Sequence, residues 1–178
     1  TLGIFYEWSR MSRPQTEGIW TAGQLGLIPE ALILVFALAL LTGVPGIVLI
    51  SMVVLFTVIL WFLSRIRDAG AWDAAGFGYA ALSGLSLALL RGGDSAGLSA
   101  ILFLFAVVWA TDIFAYFVGR KVGGPKLAPS ISPGKTRSGA LGGAVGGVAA
   151  GLLLATAVGA GNLVALAGVA FLLSVISQ

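Results

Sequence analysis

The chain has no cysteine and no histidine. Without cysteine there are no disulfides, no thiolate metal ligands and no thiol nucleophile. Without histidine there is no Ser-His triad, no imidazole ligand and no imidazole acid–base chemistry. Charge is scarce too. Charged types make up 10% of the 178 residues, where soluble domains carry about 25%. Hydrophobic types reach 58% and the mean hydropathy is +1.04. Such a chain has too little polar surface to coat a water-soluble globule and too little charge to stay disordered. A polytopic membrane protein remains. Its chemistry must run on carboxylates, Lys, Arg, hydroxyls, backbone groups and a bound ion.

Crossing a bilayer takes about 20 apolar residues in a helix. Windows with little or no charge fall at 25–42, 45–64, 72–90, 98–118, 139–159 and 162–178. The first is short in its apolar core and contains Glu30; Gly43, Val44, Pro45 and Gly46 separate it from the second as a tight turn. The fold class expected is all-α: a polytopic transmembrane helix bundle of about six spans, forming a single integral membrane domain over 1–178. Residues 1–9 read as the end of an earlier span. The chain opens on Thr and shows no signal-peptide pattern, so a cut N-terminus is expected.

The cations sort by side. Alternating the loops puts nine of the ten Lys and Arg on one side and only Arg91 on the other. The positive-inside rule assigns the basic side to the cytoplasm, with the largest cytoplasmic loop at about 119–138. A bacterial inner membrane is the expected location, with surrounding lipids as partners and no nucleic acid.

Glycine is abundant, at 26 residues. Gly139, Gly143, Gly147 and Gly151 recur every four residues, as do Gly142 and Gly146, so a glycine ridge runs along one helix. In lipid such ridges let helices approach closely. The alternative is room for a lipid chain or a moving helix. Asn162 and Ser174 are candidates for polar contacts between helices.

Two features between Trp109 and Gly143 point to chemistry. Asp112 lies within the fourth window, six residues before Val118, about 9 Å from the helix end. A carboxylate at that depth is costly unless paired, hydrated or bound to a cation, and marks a functional candidate. The other reading is a protonated or Lys-paired packing residue. Tyr116, one turn on, is within hydrogen-bonding reach. Second, the loop gathers Arg120, Lys121, Lys126, Lys135 and Arg137 among prolines and glycines, with hydroxyls at Ser130, Ser132, Thr136 and Ser138. That composition suits phosphate binding, or simple attraction to anionic headgroups. Gly134-Lys135-Thr136 imitates the end of a phosphate-binding P-loop. That motif needs glycine where Pro129 stands, and no strand is expected before it. Together, a carboxylate able to hold Mg²⁺ beside Lys and Arg is equipment for handling phosphates.

The run D-x-x-A-Y-F-x-G-R-K from Asp112 to Lys121, then K-L-A-P-x-I-S-P-G-K-T from Lys126 to Thr136, then G-x-x-G-G from Gly139, resembles bacterial phosphatidate cytidylyltransferases (CDP-diacylglycerol synthases). The resemblance is strongest over about 109–143. It implies a nucleotidyltransferase that moves CMP from CTP to phosphatidic acid, giving CDP-diacylglycerol and pyrophosphate with Mg²⁺. It implies that Asp112 is catalytic as a metal ligand. It implies that Lys135 acts on the phosphates, with Lys126, Ser132 and Thr136 as further substrate contacts and Arg120 and Lys121 as weaker ones. The chain departs from the pattern at Gly134, where many members carry Lys, at Arg137, and at Ile113 and Phe114. The family's most diagnostic motif, with Lys-Arg, Lys-Asp, His-Gly-Gly and Asp-Arg elements, follows a segment like SVISQ. A fragment cut at both ends and inactive alone is therefore expected. A homodimer is compatible with the glycine ridge and with the resemblance. Competing functions are a CTP-dependent lipid kinase, an ion-coupled transporter using Asp112, and a non-catalytic lipid-binding scaffold.

Overall fold

A computed structural model describes residues 1–12, 27–66, 70–130 and 132–178. Arg13 and Arg67, two of the cations in the charge count, lie outside the described residues. The described residues form seven helices and one short hairpin: α1 Leu2–Ser12, α2 Ile28–Leu41, α3 Gly46–Ile66, α4 Trp72–Arg91, α5 Ser95–Val122, β1 Lys126–Ala128, β2 Ser132–Thr136, α6 Arg137–Ala157 and α7 Leu163–Ser177. The all-α expectation holds. Six of the helices follow the six windows, but their lengths differ. Four are long and apolar enough to cross a membrane: α3, α4, α5 and α6. The outer two are shorter, at 14 residues for α2 and 15 for α7, or about 21 and 22 Å of rise against a hydrocarbon core of about 30 Å. Four long apolar helices and two shorter ones thus stand at the six expected windows.

The chain divides into two compact units, Thr1–Leu90 and Arg91–Gln178. In the first, Gly43 takes a φ of 71° to close the α2–α3 turn, a conformation natural to glycine. Phe77 of α4 is fully buried and meets Phe36 and Phe56 edge-on, at centroid distances of 6.3 and 5.9 Å. Small residues such as Ala80 and Ala81 fill the rest of the α4 face. Trp8 of α1 lies on Gly76, where a Cβ would run into its indole, and donates from Nε1 to the Trp72 carbonyl at 2.9 Å.

The second unit is built on the glycine ridge. Gly139, Gly143, Gly146, Gly147 and Gly151 are all buried in α6. A Cβ on Gly143 would stand 2.8 Å from the Thr111 carbonyl and 3.0 Å from Ala115 Cβ. One on Gly151 would stand 2.9 Å from Val107 and 3.2 Å from Ala170. The ridge is therefore helix packing: α6 runs backbone to backbone along α5, with α7 behind. The close-packing alternative is the one the structure bears out. At the crossing, Thr111 Oγ1 donates to Ser174 Oγ at 2.8 Å, both fully buried. Ser174 thus makes the expected contact between helices. Asn162 does not; it caps α7, accepting from the Ala165 amide at 3.0 Å.

Candidate active site

Helix α5 is 28 residues long, about 42 Å, so it continues past the expected end at Val118 to Val122. Asp112 consequently sits ten residues from the helix end, about 15 Å along the axis, against the roughly 9 Å that the sequence window indicates. Arg120 and Lys121 occupy the last turn, where cations suit the negative end of the helix dipole. That is why a charged segment stays helical. Asp112, Tyr116 and Arg120 are four apart and share one face.

Next to them the chain reverses. Gly123 and Gly124 hold φ values of 67° and 101°, which side chains rarely tolerate. β1 and β2 then pair antiparallel, Lys126 opposite Thr136 and Ala128 opposite Ser132. The register takes two steps on β1 against four on β2, so β2 bulges. Pro133 fits because each strand of a two-stranded hairpin is an edge. The hairpin is pinned at its base: the Arg137 amide donates to the Pro125 carbonyl at 2.9 Å, and Ser138 Oγ donates to the Gly123 carbonyl. Thr136 ends the strand and caps α6, its Oγ1 accepting from the Gly139 amide at 3.1 Å. A Cβ on Gly139 would lie 2.7 Å from the Ala115 carbonyl and 3.2 Å from Gly119 Cα. Glycine at 119 and 139 is what lets the hairpin-to-helix junction close onto the α5 face.

The result is a cavity of about 740 Å³, within the usual range of about 300–1,000 Å³ for small-molecule sites. Asp112, Tyr116 and Arg120 form one wall; Lys126, Lys135 and Thr136 face it from the hairpin. Five of the seven sequence-predicted residues therefore meet there. Lys121 and Ser132 are not brought in. Lys121 is one position, about 100°, round the helix from Arg120, and Ser132 sits at the far register pair of the hairpin.

The polar groups are used unequally. The Thr136 hydroxyl is buried and engaged in capping, so its work is to set the junction. Lys135 Nζ donates to the Gln178 main-chain carbonyl, and Gln178 Nε2 donates to the Ala140 carbonyl at 3.2 Å. Tyr116 does not bond Asp112 as its spacing allows; its hydroxyl accepts from Arg120 Nη1 at 2.7 Å. Asp112, Arg120 and Lys126 are exposed to the cavity and make no ion pair among the described residues. One carboxylate and three cations thus give the cavity an excess of positive charge. A strand does precede this stretch, β1 at Lys126–Ala128, and Gly134-Lys135-Thr136 themselves lie in β2 and lead into α6, which corrects the expectation of no strand. Pro129 still replaces the first P-loop glycine.

Magnesium keeps several waters and commonly takes one or two carboxylates together with substrate phosphates. Asp112 fits as one such ligand. No cluster of three acidic, His or Cys side chains occurs among the described residues.

The profile of the cytidylyltransferase family matches residues 1–178. A phosphatidate cytidylyltransferase of Brucella abortus biovar 1 (strain 9-941) is 45% identical over 178 residues, covering 99% of this chain and 63% of its own length. Those of Brucella suis biovar 1 and Brucella melitensis biotype 1 are 45% and 44% identical with the same coverage. The chain thus spans under two thirds of the length of these curated relatives. No solved structure matches it.

Proposed function

The chain belongs to the cytidylyltransferase family, and from that premise we propose that it carries the phosphate-handling part of a site that transfers CMP from CTP to phosphatidic acid. The supporting observation is the cavity itself, where one carboxylate and three cations converge without ion pairs among the described residues. The products are CDP-diacylglycerol and pyrophosphate. A phosphatidate oxygen attacks the α-phosphorus of CTP; the bond from that phosphorus to the β-phosphate bridging oxygen breaks, and its electron pair leaves with pyrophosphate. A phosphate monoester is largely ionised near pH 7, its second pKa being about 6. The nucleophile therefore has no proton to lose, so the step needs no general base.

The difficulty is electrostatic, because two polyanions must touch. Arg120, Lys126 and Lys135 offset that charge, and the Arg120 fork matches phosphate oxygens geometrically. Asp112 would hold Mg²⁺, which when bound would supply further positive charge to phosphate oxygens. The basic side faces the cytoplasm of a bacterial inner membrane, so CTP enters from water and phosphatidate from the leaflet.

The product test separates this from a lipid kinase. The full-length protein is given phosphatidate vesicles, Mg²⁺ and CTP labelled at the α-phosphorus. Label is expected in the lipid, with one pyrophosphate released per lipid labelled. Release of CDP with only γ-phosphate reaching a lipid would overturn the assignment in favour of a kinase.

A further inference from the structure

Tyr116 is 57% exposed and lines the cavity one turn from both Asp112 and Arg120. Its oxygen accepts a hydrogen bond from Arg120 Nη1 at 2.7 Å, and the guanidinium carbon lies 6.0 Å from the centre of its ring. A phenol is both acceptor and donor. Here the acceptor side is occupied by a cation, which polarises the O–H bond. The phenolic proton has no acceptor among the described residues, and the guanidinium keeps four of its five N–H groups. Both sets of donors belong to side chains on the cavity wall. Arg side chains carry about 2 kcal/mol of rotamer entropy, so a phenol that holds the fork in place reduces what ligand binding must immobilise.

We infer that Tyr116 and Arg120 form a paired phosphate subsite in which the Tyr116 hydroxyl itself donates a hydrogen bond to a phosphoryl oxygen of bound substrate. The inference rests on the phosphate-transfer reading of the cavity and adds a ligand contact at Tyr116. The phosphoryl group belongs either to the lipid phosphate or to the triphosphate of the nucleotide.

Tyr116→Phe keeps the ring under the guanidinium and removes only the hydroxyl. In the full-length protein it is expected to raise KM about tenfold for one substrate while kcat stays within about threefold. A rise for CTP assigns the pair to the nucleotide, and a rise for phosphatidate assigns it to the lipid. The same substitution placed in an Arg120→Lys background separates donation from mere propping. Donation predicts a further rise of similar size there; a prop for Arg120 has nothing left to hold. Calorimetry with inorganic pyrophosphate reads the subsite without turnover, with about tenfold weaker binding expected for Tyr116→Phe. Unchanged KM values and unchanged pyrophosphate binding in a variant of wild-type melting temperature overturn the inference, as does an effect that vanishes beside Arg120→Lys. A wild-type protein that binds pyrophosphate in a Tyr116-dependent way but makes no CDP-diacylglycerol would instead keep the subsite and reject the reaction.

Discussion

Asp112→Asn in the full-length protein is expected to lower the rate of CDP-diacylglycerol formation by about 10³-fold, roughly 4 kcal/mol of transition-state stabilisation. The two side chains have nearly the same shape, so the change removes charge and little else. Asp112 is exposed to the cavity and holds no partner among the described residues; the helix packing of α5 does not depend on it. Expression and thermal stability in detergent should therefore match wild type. An amide oxygen is a poorer ligand for a hard cation than a carboxylate, so raising Mg²⁺ should recover part of the lost rate. Wild-type turnover in the variant would remove Asp112 from the site. Loss of turnover that no concentration of Mg²⁺ relieves would keep Asp112 important but argue against its role as a metal ligand.

Gly143→Val should do the opposite, damaging the fold before the chemistry. Its Cβ would meet the Thr111 carbonyl at 2.8 Å and Ala115 Cβ at 3.0 Å. The first of these is backbone and cannot rotate away, so α5 and α6 must separate. Overpacking of this kind costs about 1–3 kcal/mol in well-packed interiors, and the upper end is expected here because valine adds two more methyl groups beyond Cβ. Separation of the helices also lifts the hairpin junction off the α5 face, so turnover should fall together with the melting temperature. Gly168→Ala is the matched control. No atom lies within 4 Å of a Cβ at Gly168, and alanine favours the helix by up to about 1 kcal/mol. It should melt at or above the wild-type temperature. A Gly143→Val protein of wild-type stability would contradict the close α5–α6 packing.

How far the sequence led can be followed residue by residue. Hydrophobic windows located six helices, and Gly43, Pro45 and Gly46 marked their first turn, because a helix in lipid and a reversal of the chain each need particular residue types. The ridge from Gly139 to Gly151 pointed to close helix packing, with room for a lipid chain or a moving helix as the alternative that only the structure removes. It did not name its partner; that α5 and α7 lie against it depends on tertiary geometry. Asp112 was legible because a lone carboxylate in an apolar window is expensive. The hairpin was not, because Pro133 and Gly134 suppress every local strand signal. Hydropathy ended α5 at Val118, whereas Arg120 and Lys121 extend it by favouring its C-terminal dipole. Spacing put Tyr116 within reach of Asp112, and only the structure shows that Arg120 takes its oxygen instead. Thr136 was identified as polar and important, but its hydroxyl proves to be a helix cap.

The central claim is that the triphosphate of CTP lies in the cavity between α5 and the hairpin. The most direct test is photolabelling of the full-length protein with a CTP derivative carrying an arylazide on its γ-phosphate, in the presence of Mg²⁺, followed by peptide mapping. The account predicts label on peptides spanning 112–140, suppressed by excess CTP and reduced in Asp112→Asn. Label confined to Thr1–Leu90, or label on 112–140 that excess CTP leaves untouched, would contradict it.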